Sequence, residues 1–120
     1  EGLYRVTHGE NGTSATTFRT YSPQVAGKTG TAEAFYSGPN PAYKNEAVEN
    51  STFISYAPYD NPEIVVAVVA PYFKDGSPSD YAAKVAKQVY DAYFAKTNSS
   101  SQTNEATVNS QIRQQQNNRR

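Results

Sequence analysis

Residues 25–33 of the 120-residue chain read VAGKTGTAE, and this stretch decides how the rest of the sequence is interpreted. It places one cation, two hydroxyl side chains and two glycines on a short segment that is predicted to be a strand. A lysine among small strand residues needs polar partners for its ammonium. Thr29 and Thr31 are two positions apart, so on a strand both hydroxyls project from one face. Such a pair would hold a carboxylate while Lys28 supplies positive potential, whereas an ordinary strand with a solvated lysine is the plainer alternative.

The segments on either side of this strand predict a helix end and two irregular connections. Residues 1–8 have apolar side chains at helical spacing, and Gly9 is a plausible helix stop. An Asn-Gly turn follows, and residues 13–21 are predicted to be extended because they are rich in threonine and aromatic side chains. Residues 36–51 contain glycine, two prolines and scattered charges, so they are predicted to form a long loop.

Two further strands are predicted after this loop, at residues 52–57 and 63–71. The intervening PYDNP at 58–62 has the composition of a hairpin turn. Residues 64–70 are apolar at every position, which indicates a central strand that is covered on both faces.

A C-terminal helix is predicted to begin with Ser77 as N-cap and Pro78 at the first helical position, with Asp80 completing a capping-box-like arrangement. It is predicted to end near Lys96. Its apolar residues form one stripe that is expected to pack on the sheet. They are Tyr81, Ala82, Val85, Ala86, Val89, Tyr90, Tyr93 and Phe94.

These elements predict a partial α/β (α+β) domain over residues 1–96, with about three strands of a mostly antiparallel sheet and a packed C-terminal helix. Residues 97–120 are rich in Asn, Gln, Ser and Thr, and they bury too little apolar surface to offset their ordering entropy. A disordered tail is therefore predicted there.

Composition excludes several functions. The formal net charge is zero, so no global field favours nucleic acid, and no nucleic-acid partner is expected. The chain has no cysteine, which excludes disulfides and thiolate metal sites. His8 is the only histidine, which argues against a multi-histidine metal site or a Ser-His-Asp triad, and no cofactor is predicted. The sequence has no apolar run near the ~20 residues that a bilayer span requires.

A phosphate-binding loop is the main competing interpretation of residues 27–29. Gly27, Lys28 and Thr29 match the end of the Walker A pattern, which also needs a glycine five positions before Gly27. That position is Ser22, followed by Pro23. The residues after Thr29 also lack the helix start that such a loop requires, so nucleotide binding is not favoured.

The segment GKTGTAE at 27–33 instead resembles the Lys-Thr-Gly box of the penicillin-recognising serine enzymes, and in this longer form it looks like class B penicillin-binding proteins. The downstream order is similar too, with FISYAP at 53–58, PEIVV at 62–66 and then a terminal helix. The resemblance covers about residues 1–96. It implies a β-lactamase/transpeptidase-like fold and a D,D-transpeptidase that cross-links peptidoglycan through a serine acyl-enzyme and is inhibited by β-lactams.

The resemblance also implies roles for four residues of the box. Lys28 would bridge toward the serine of a Ser-x-Asn motif and steer proton transfer. The hydroxyls of Thr29 and Thr31 would bind the terminal carboxylate of a stem peptide ending in D-Ala-D-Ala, or of a β-lactam. The backbone N–H of Thr31 would be one of two oxyanion donors. Gly30 lets the substrate backbone approach the strand.

The family's other motifs are missing from the sequence. No serine is followed by lysine three positions later, and none is followed by asparagine two positions later. The resemblance therefore implies that an upstream part of the same protein supplies the nucleophile, and that this chain alone is inactive. It further implies an extracytoplasmic site, an upstream membrane tether and a cell-wall synthesis complex as partner. A serine β-lactamase, a D,D-carboxypeptidase and a non-catalytic penicillin-binding sensor remain the alternatives.

Overall fold

A computed structural model describes residues 1–74 and 80–119 of the chain. The chain divides into two compact units, Glu1–Val89 and Tyr90–Arg120. Its elements in order are α1 (Gly2–His8), α2 (Ala15–Phe18), β1 (Ala26–Phe35), a 3-10 turn (Pro41–Tyr43), β2 (Ala47–Ala57), β3 (Ile64–Phe73) and α3 (Tyr81–Asn117).

The three strands form one antiparallel sheet in the order β1-β2-β3. Thr29 of β1 lies opposite Phe53 of β2, and Phe53 in turn lies opposite Val68 of β3. The register of β2 and β3 shifts between Glu49 and Ser51. The predicted α+β class, with about three antiparallel strands and a C-terminal helix, is thereby confirmed.

One face of the sheet is covered by helical residues of the first unit. Phe18 of α2 is fully buried and stacks on Phe53 with ring centroids 5.6 Å apart. Ala82, Ala83 and Ala86 on the first turns of α3 are also buried. Burying a phenylalanine contributes about 1.5–3 kcal/mol, so the Phe18–Phe53 pair is a main anchor of α2 on this face.

The opposite face of the sheet is apolar and exposed. Ile54, Val65 and Val69 are 58%, 68% and 70% exposed, whereas Val66, which points to the other face, is buried. Within the described residues β3 is an edge strand. Within the described residues the strand is thus covered on one face only, because its side chains alternate between a covered and an uncovered face. A cover on both faces at residues 64–70 stays a prediction.

Two connections differ from the sequence prediction. Residues 13–21 are not extended but include the short helix α2, because burial of Phe18 decides the local conformation over the strand propensity of the threonines. The long loop is shorter than predicted, since β2 begins at Ala47, which pairs with Phe35 at the end of β1.

Helix α3 is described from Tyr81, and its predicted N-cap Ser77 and first residue Pro78 lie outside the described residues. The Asp80 carboxylate forms an ion pair with Lys84 at 3.0 Å, near the predicted start. The helical backbone continues past Lys96 to Asn117, although composition predicts disorder from residue 97. Hydroxyl side chains there donate to carbonyls four residues earlier, which gives polar residues a helical partner. The donors are Thr97, Ser99, Ser100, Ser101, Thr103, Thr107 and Ser110.

The second unit, Tyr90–Arg120, has its aromatic side chains near its start. Phe94 stacks on Tyr90 with centroids 6.2 Å apart and meets Tyr93 edge-on at 5.1 Å. All of residues 95–119 are exposed. The domain boundary at Lys96 and disorder of the tail in solution stay predictions.

Gly27 is required by the packing of β1 on β2. A Cβ at this position would lie 2.5 Å from Phe53 Cζ and 2.9 Å from the Ile54 carbonyl oxygen. We expect Gly27→Ala to lower the free energy of unfolding by about 1–3 kcal/mol, since overpacking forces neighbouring atoms apart. Denaturant unfolding of the complete protein measures this. The control is Gly2→Ala, where a Cβ meets nothing within 4 Å, and an equal loss in the two variants would contradict the packing argument.

Candidate functional site

Strand β1 is an edge of the described sheet, so a strand neighbours it only on the β2 side. Thr29 and Thr31 face the same side, as their β2 partners Phe53 and Ser51 do. Lys28 projects to the opposite side of the strand. An extended ligand along this open edge therefore meets hydroxyls on one side and the cation on the other.

The Lys28 side chain is exposed and turns toward the backbone of the next residue of its own strand. Its Nζ donates to the carbonyl oxygen of Thr29 at 2.7 Å. The ammonium thus contacts the backbone of Thr29, one of the two threonines whose hydroxyls are predicted to bind a carboxylate. The ammonium therefore lies at the edge of β1, where its charge acts on an anion that binds along this edge.

The hydroxyl of Thr29 has a partner outside the strand. Thr13, in the loop between α1 and α2, lies with its Oγ1 2.7 Å from the Oγ1 of Thr29. The sequence did not single out Thr13 as a site residue, because the neighbouring Asn-Gly indicates only a turn and no periodicity links position 13 to position 29. Its proximity to Thr29 arises only in the folded chain.

The loop that contains Thr13 is held against the end of α1. The backbone N–H of Ser14 donates to the Val6 carbonyl at 3.0 Å, and Arg19 Nη2 donates to the Gly9 and Glu10 carbonyls at 3.2 and 2.9 Å. Gly12 permits this approach, since a Cβ there would lie 2.4 Å from the Val6 carbonyl oxygen. The position of Thr13 therefore follows from backbone contacts of its loop.

This loop, α1 and Lys28 line an open cleft of about 590 Å³ beside β1. Arg5 and Glu10 add one positive and one negative side chain to its wall, and the remaining lining residues are Val6, Gly9, Asn11, Gly12 and Thr13. The cleft thus lies where the predicted cation meets the loop that contacts Thr29. Lys28 is the one candidate site residue that lines it, and Thr29, Gly30 and Thr31 lie outside its lining.

The other two predicted site residues continue along the edge. Gly30 accepts a hydrogen bond at its carbonyl from Thr52 Oγ1 at 3.1 Å, and Thr31 is exposed. The structure therefore brings Lys28, Thr29, Gly30 and Thr31 together on one strand edge.

A tyrosine cluster lies at the far end of β1. Tyr36 contacts Tyr43 and Tyr72 edge-on, with centroids 5.9 and 4.8 Å apart, and Tyr72 OH is 3.1 Å from Ser37 Oγ. The three rings line a groove of about 350 Å³. The rings thus line a groove and at the same time pack on one another beside the connection between β1 and β2.

His8, at the end of α1, is partly buried. Its ring stacks on Tyr4 at 4.3 Å, and Nδ1 lies 2.9 Å from Thr7 Oγ1. Burial lowers the pKa of His8 below its ordinary value of 6.5, partly offset by a hydrogen bond to the Tyr4 backbone. Its Nε2 is buried without a partner among the described residues. The fold therefore favours the neutral imidazole.

Stability should depend on pH through His8. Below about pH 6.5 the unfolded chain takes up a proton that the folded chain binds less well, so the free energy of unfolding falls as the pH drops toward the lowered folded pKa. Above about pH 6.5 the imidazole is neutral in both the folded and the unfolded chain, so His8 no longer makes stability depend on pH. Comparing unfolding at about pH 7.5 and 5.5 in the unsubstituted protein and in His8→Phe, which keeps a ring beside Tyr4, measures it. An unchanged pH dependence in the variant would contradict this assignment.

In the described part of the chain, no helix combines the length and apolar character needed to cross a bilayer. Over the same residues, no three His, Asp or Glu side chains cluster as metal ligands.

Comparisons with known proteins agree with the fold and place the chain in a family. The family model for the penicillin-binding protein transpeptidase domain matches residues 1–92. The peptidoglycan D,D-transpeptidase MrdA of Haemophilus influenzae is 39% identical over 98 residues, which cover 78% of this chain and 15% of that protein. Penicillin-binding protein 2A of Bacillus subtilis is 38% identical over 85 residues, 69% of this chain and 12% of that protein.

A solved structure supports the same assignment. The crystal structure of Pseudomonas aeruginosa PBP2 in complex with WCK 5153 matches with a TM-score of 0.59 and 35% identity, covering 77% of this chain and 18% of that one. The fold and the family match thus define a segment of a transpeptidase-type domain. The chain belongs to the penicillin-binding protein transpeptidase family and is homologous to its class B members. It spans less than a fifth of the length of each of these three proteins.

Proposed function

We propose that this chain is the substrate-holding part of a peptidoglycan D,D-transpeptidase. The observation that carries the proposal is the edge of β1, which has a neighbouring strand only on the β2 side. Thr29 and Thr31 lie along this edge, and Lys28 lines the cleft beside it. A stem peptide ending in D-Ala-D-Ala, or a β-lactam of similar shape, adds along this edge as an extended strand. Membership in the transpeptidase family supports this choice of substrate.

Each residue of the box has a part in the proposed reaction. The hydroxyls of Thr29 and Thr31 bind the terminal carboxylate, and the charge of Lys28 attracts it and steers proton transfer at the nucleophile. The Thr31 N–H donates to the carbonyl oxygen that becomes negative in the tetrahedral intermediate. Gly30 leaves room for the substrate backbone.

The nucleophile comes from another part of the same protein in this proposal. A serine there attacks the carbonyl of the penultimate D-alanine, and its proton passes to a base. The base returns this proton to the nitrogen of the terminal D-alanine as the C–N bond breaks, so that D-alanine leaves with a free amine and the acyl group stays on the serine. An amine of a second stem peptide then attacks the acyl-enzyme, forms the cross-link and releases the serine. The reaction takes place outside the cytoplasmic membrane, on a protein tethered to it and working within the cell-wall synthesis machinery.

Turnover of a synthetic stem peptide tests the proposal. The complete protein is incubated with a donor ending in D-Ala-D-Ala and an acceptor amine, and free D-alanine and the cross-linked product are quantified by mass spectrometry. We expect both products from the complete protein and neither from residues 1–120 alone.

Other outcomes identify the alternatives. Release of D-alanine with hydrolysed donor and no cross-link indicates a D,D-carboxypeptidase. Rapid hydrolysis of a penicillin without peptide turnover indicates a β-lactamase, and stable penicillin binding without peptide turnover indicates a sensor. Each of these results contradicts the transpeptidase proposal.

A further inference from the structure

The contact between Thr13 and Thr29 suggests a role for a residue outside the Lys-Thr-Gly box. Their Oγ1 atoms are 2.7 Å apart, and either could donate. Resting on the proposed function, we propose that Thr13 is a positioning residue, which donates its hydroxyl proton to Thr29 and so turns the Thr29 proton toward the substrate carboxylate.

The chemistry of the hydroxyl group decides the direction of this hydrogen bond. A threonine hydroxyl has one proton and two lone pairs. If Thr29 donated to Thr13, only lone pairs of Thr29 would face the carboxylate, which is itself purely an acceptor. If Thr13 donates, the Thr29 proton is free for the carboxylate, and the two hydrogen bonds polarise each other in the same direction.

The surroundings of the pair suit a positioning role. The loop of Thr13 is fixed by backbone hydrogen bonds and by the close approach of Gly12 to α1, so its hydroxyl has a defined place. From the other side, Lys28 Nζ holds the Thr29 carbonyl at 2.7 Å. Thr13 itself is exposed, so its side chain contributes little to the core. Loss of its hydroxyl should therefore change ligand binding more than stability.

The test compares two substitutions at this position in the complete protein. Thr13→Val keeps the branched shape but removes the hydroxyl, whereas Thr13→Ser keeps the hydroxyl. Acylation by benzylpenicillin is measured over a range of concentrations to separate the dissociation constant of the initial complex from the acylation rate constant. We expect the valine variant to raise the dissociation constant roughly three- to tenfold at an unchanged rate constant, and the serine variant to stay within about twofold.

Three controls separate positioning from a structural effect. Thr20→Val makes the same chemical change at an exposed threonine of the next segment and should alter neither constant. In a Thr29→Val background, Thr13→Val should have no further effect, because the hydroxyl that it orients is gone. With the methyl ester of benzylpenicillin, which lacks the carboxylate, the valine and serine variants should behave alike.

Four results of these measurements would overturn the proposed role of Thr13. Equal constants for the valine and serine variants with benzylpenicillin overturn the inference, as does an additive effect in the Thr29→Val background. An equal loss with the acid and the ester, together with a lower melting temperature, assigns Thr13 a structural role and also overturns it. If the unsubstituted protein is not acylated at all, the proposed function is wrong and this inference is wrong with it.

Discussion

Replacing Lys28 by alanine in the complete protein is expected to lower the second-order rate constant for acylation by a penicillin about 100- to 1000-fold. The Lys28 ammonium lies at the edge of β1, with its Nζ 2.7 Å from the Thr29 carbonyl oxygen, and the side chain lines the cleft. The hydroxyls that are proposed to bind the carboxylate belong to the same strand. Removal of the ammonium takes away both the potential that attracts the carboxylate and the group that steers proton transfer. Stopped-flow or gel-based labelling measures the rate constant.

A matched control for this substitution is Lys44→Ala. Lys44 is an exposed lysine of the connection between β1 and β2, so the variant makes the same change in charge. We expect its acylation rate to stay within about twofold of the unsubstituted protein, as is usual for a screened surface charge. An effect of similar size in both variants would mean that Lys28 acts only through the overall charge, which would contradict its assigned role.

The double substitution of Thr29 and Thr31 by valine is expected to weaken binding of carboxylate ligands strongly. A hydrogen bond to a charged group is worth about 1.5–3 kcal/mol, so each lost hydroxyl should raise the dissociation constant about 10- to 150-fold. Valine keeps the β-branched shape that suits the strand. The Thr31 backbone N–H is also retained, so the acylation rate constant at saturation should change little. Saturation kinetics with a penicillin separate the two constants.

The serine double variant serves as the control, because it keeps both hydroxyls on the same strand. We expect it to bind within a few-fold of the unsubstituted protein. The opposite pattern, an unchanged dissociation constant with a much slower acylation step in the valine variant, would show that the hydroxyls act on the reacting atoms and not on the carboxylate.

The fold was predictable where local sequence patterns and burial agree. Strand β1 and the hairpin of β2 and β3 were expected from small and β-branched residues bounded by turn residues, and the family followed from GKTGTAE at 27–33. Helix α2 was not expected, since the burial of Phe18 against Phe53 is a tertiary contact that overrides the local preference. The start of β2 at Ala47 was missed for the same reason, because pairing with β1 extends the strand.

The candidate site was predictable only within one strand. The box residues lie next to each other in sequence, and the alternation of a strand places the two hydroxyls of Thr29 and Thr31 on one side. Thr13 is sixteen positions from Thr29 in sequence. Its loop turns back against α1, which is possible because Gly12 has no Cβ to clash with the Val6 carbonyl oxygen. This turn brings Thr13 into contact with Thr29. Such a contact depends on the folded path of the backbone, which no local pattern encodes.

The central claim is that this chain completes the site of a serine acyl-enzyme. Intact-mass spectrometry of the complete protein after incubation with a fluorescent penicillin tests it most directly. We expect one stable penicilloyl adduct per molecule, located by peptide mapping on a serine outside residues 1–120, and no adduct on the isolated chain. No adduct on the complete protein, or an adduct on a serine within residues 1–120, would contradict it.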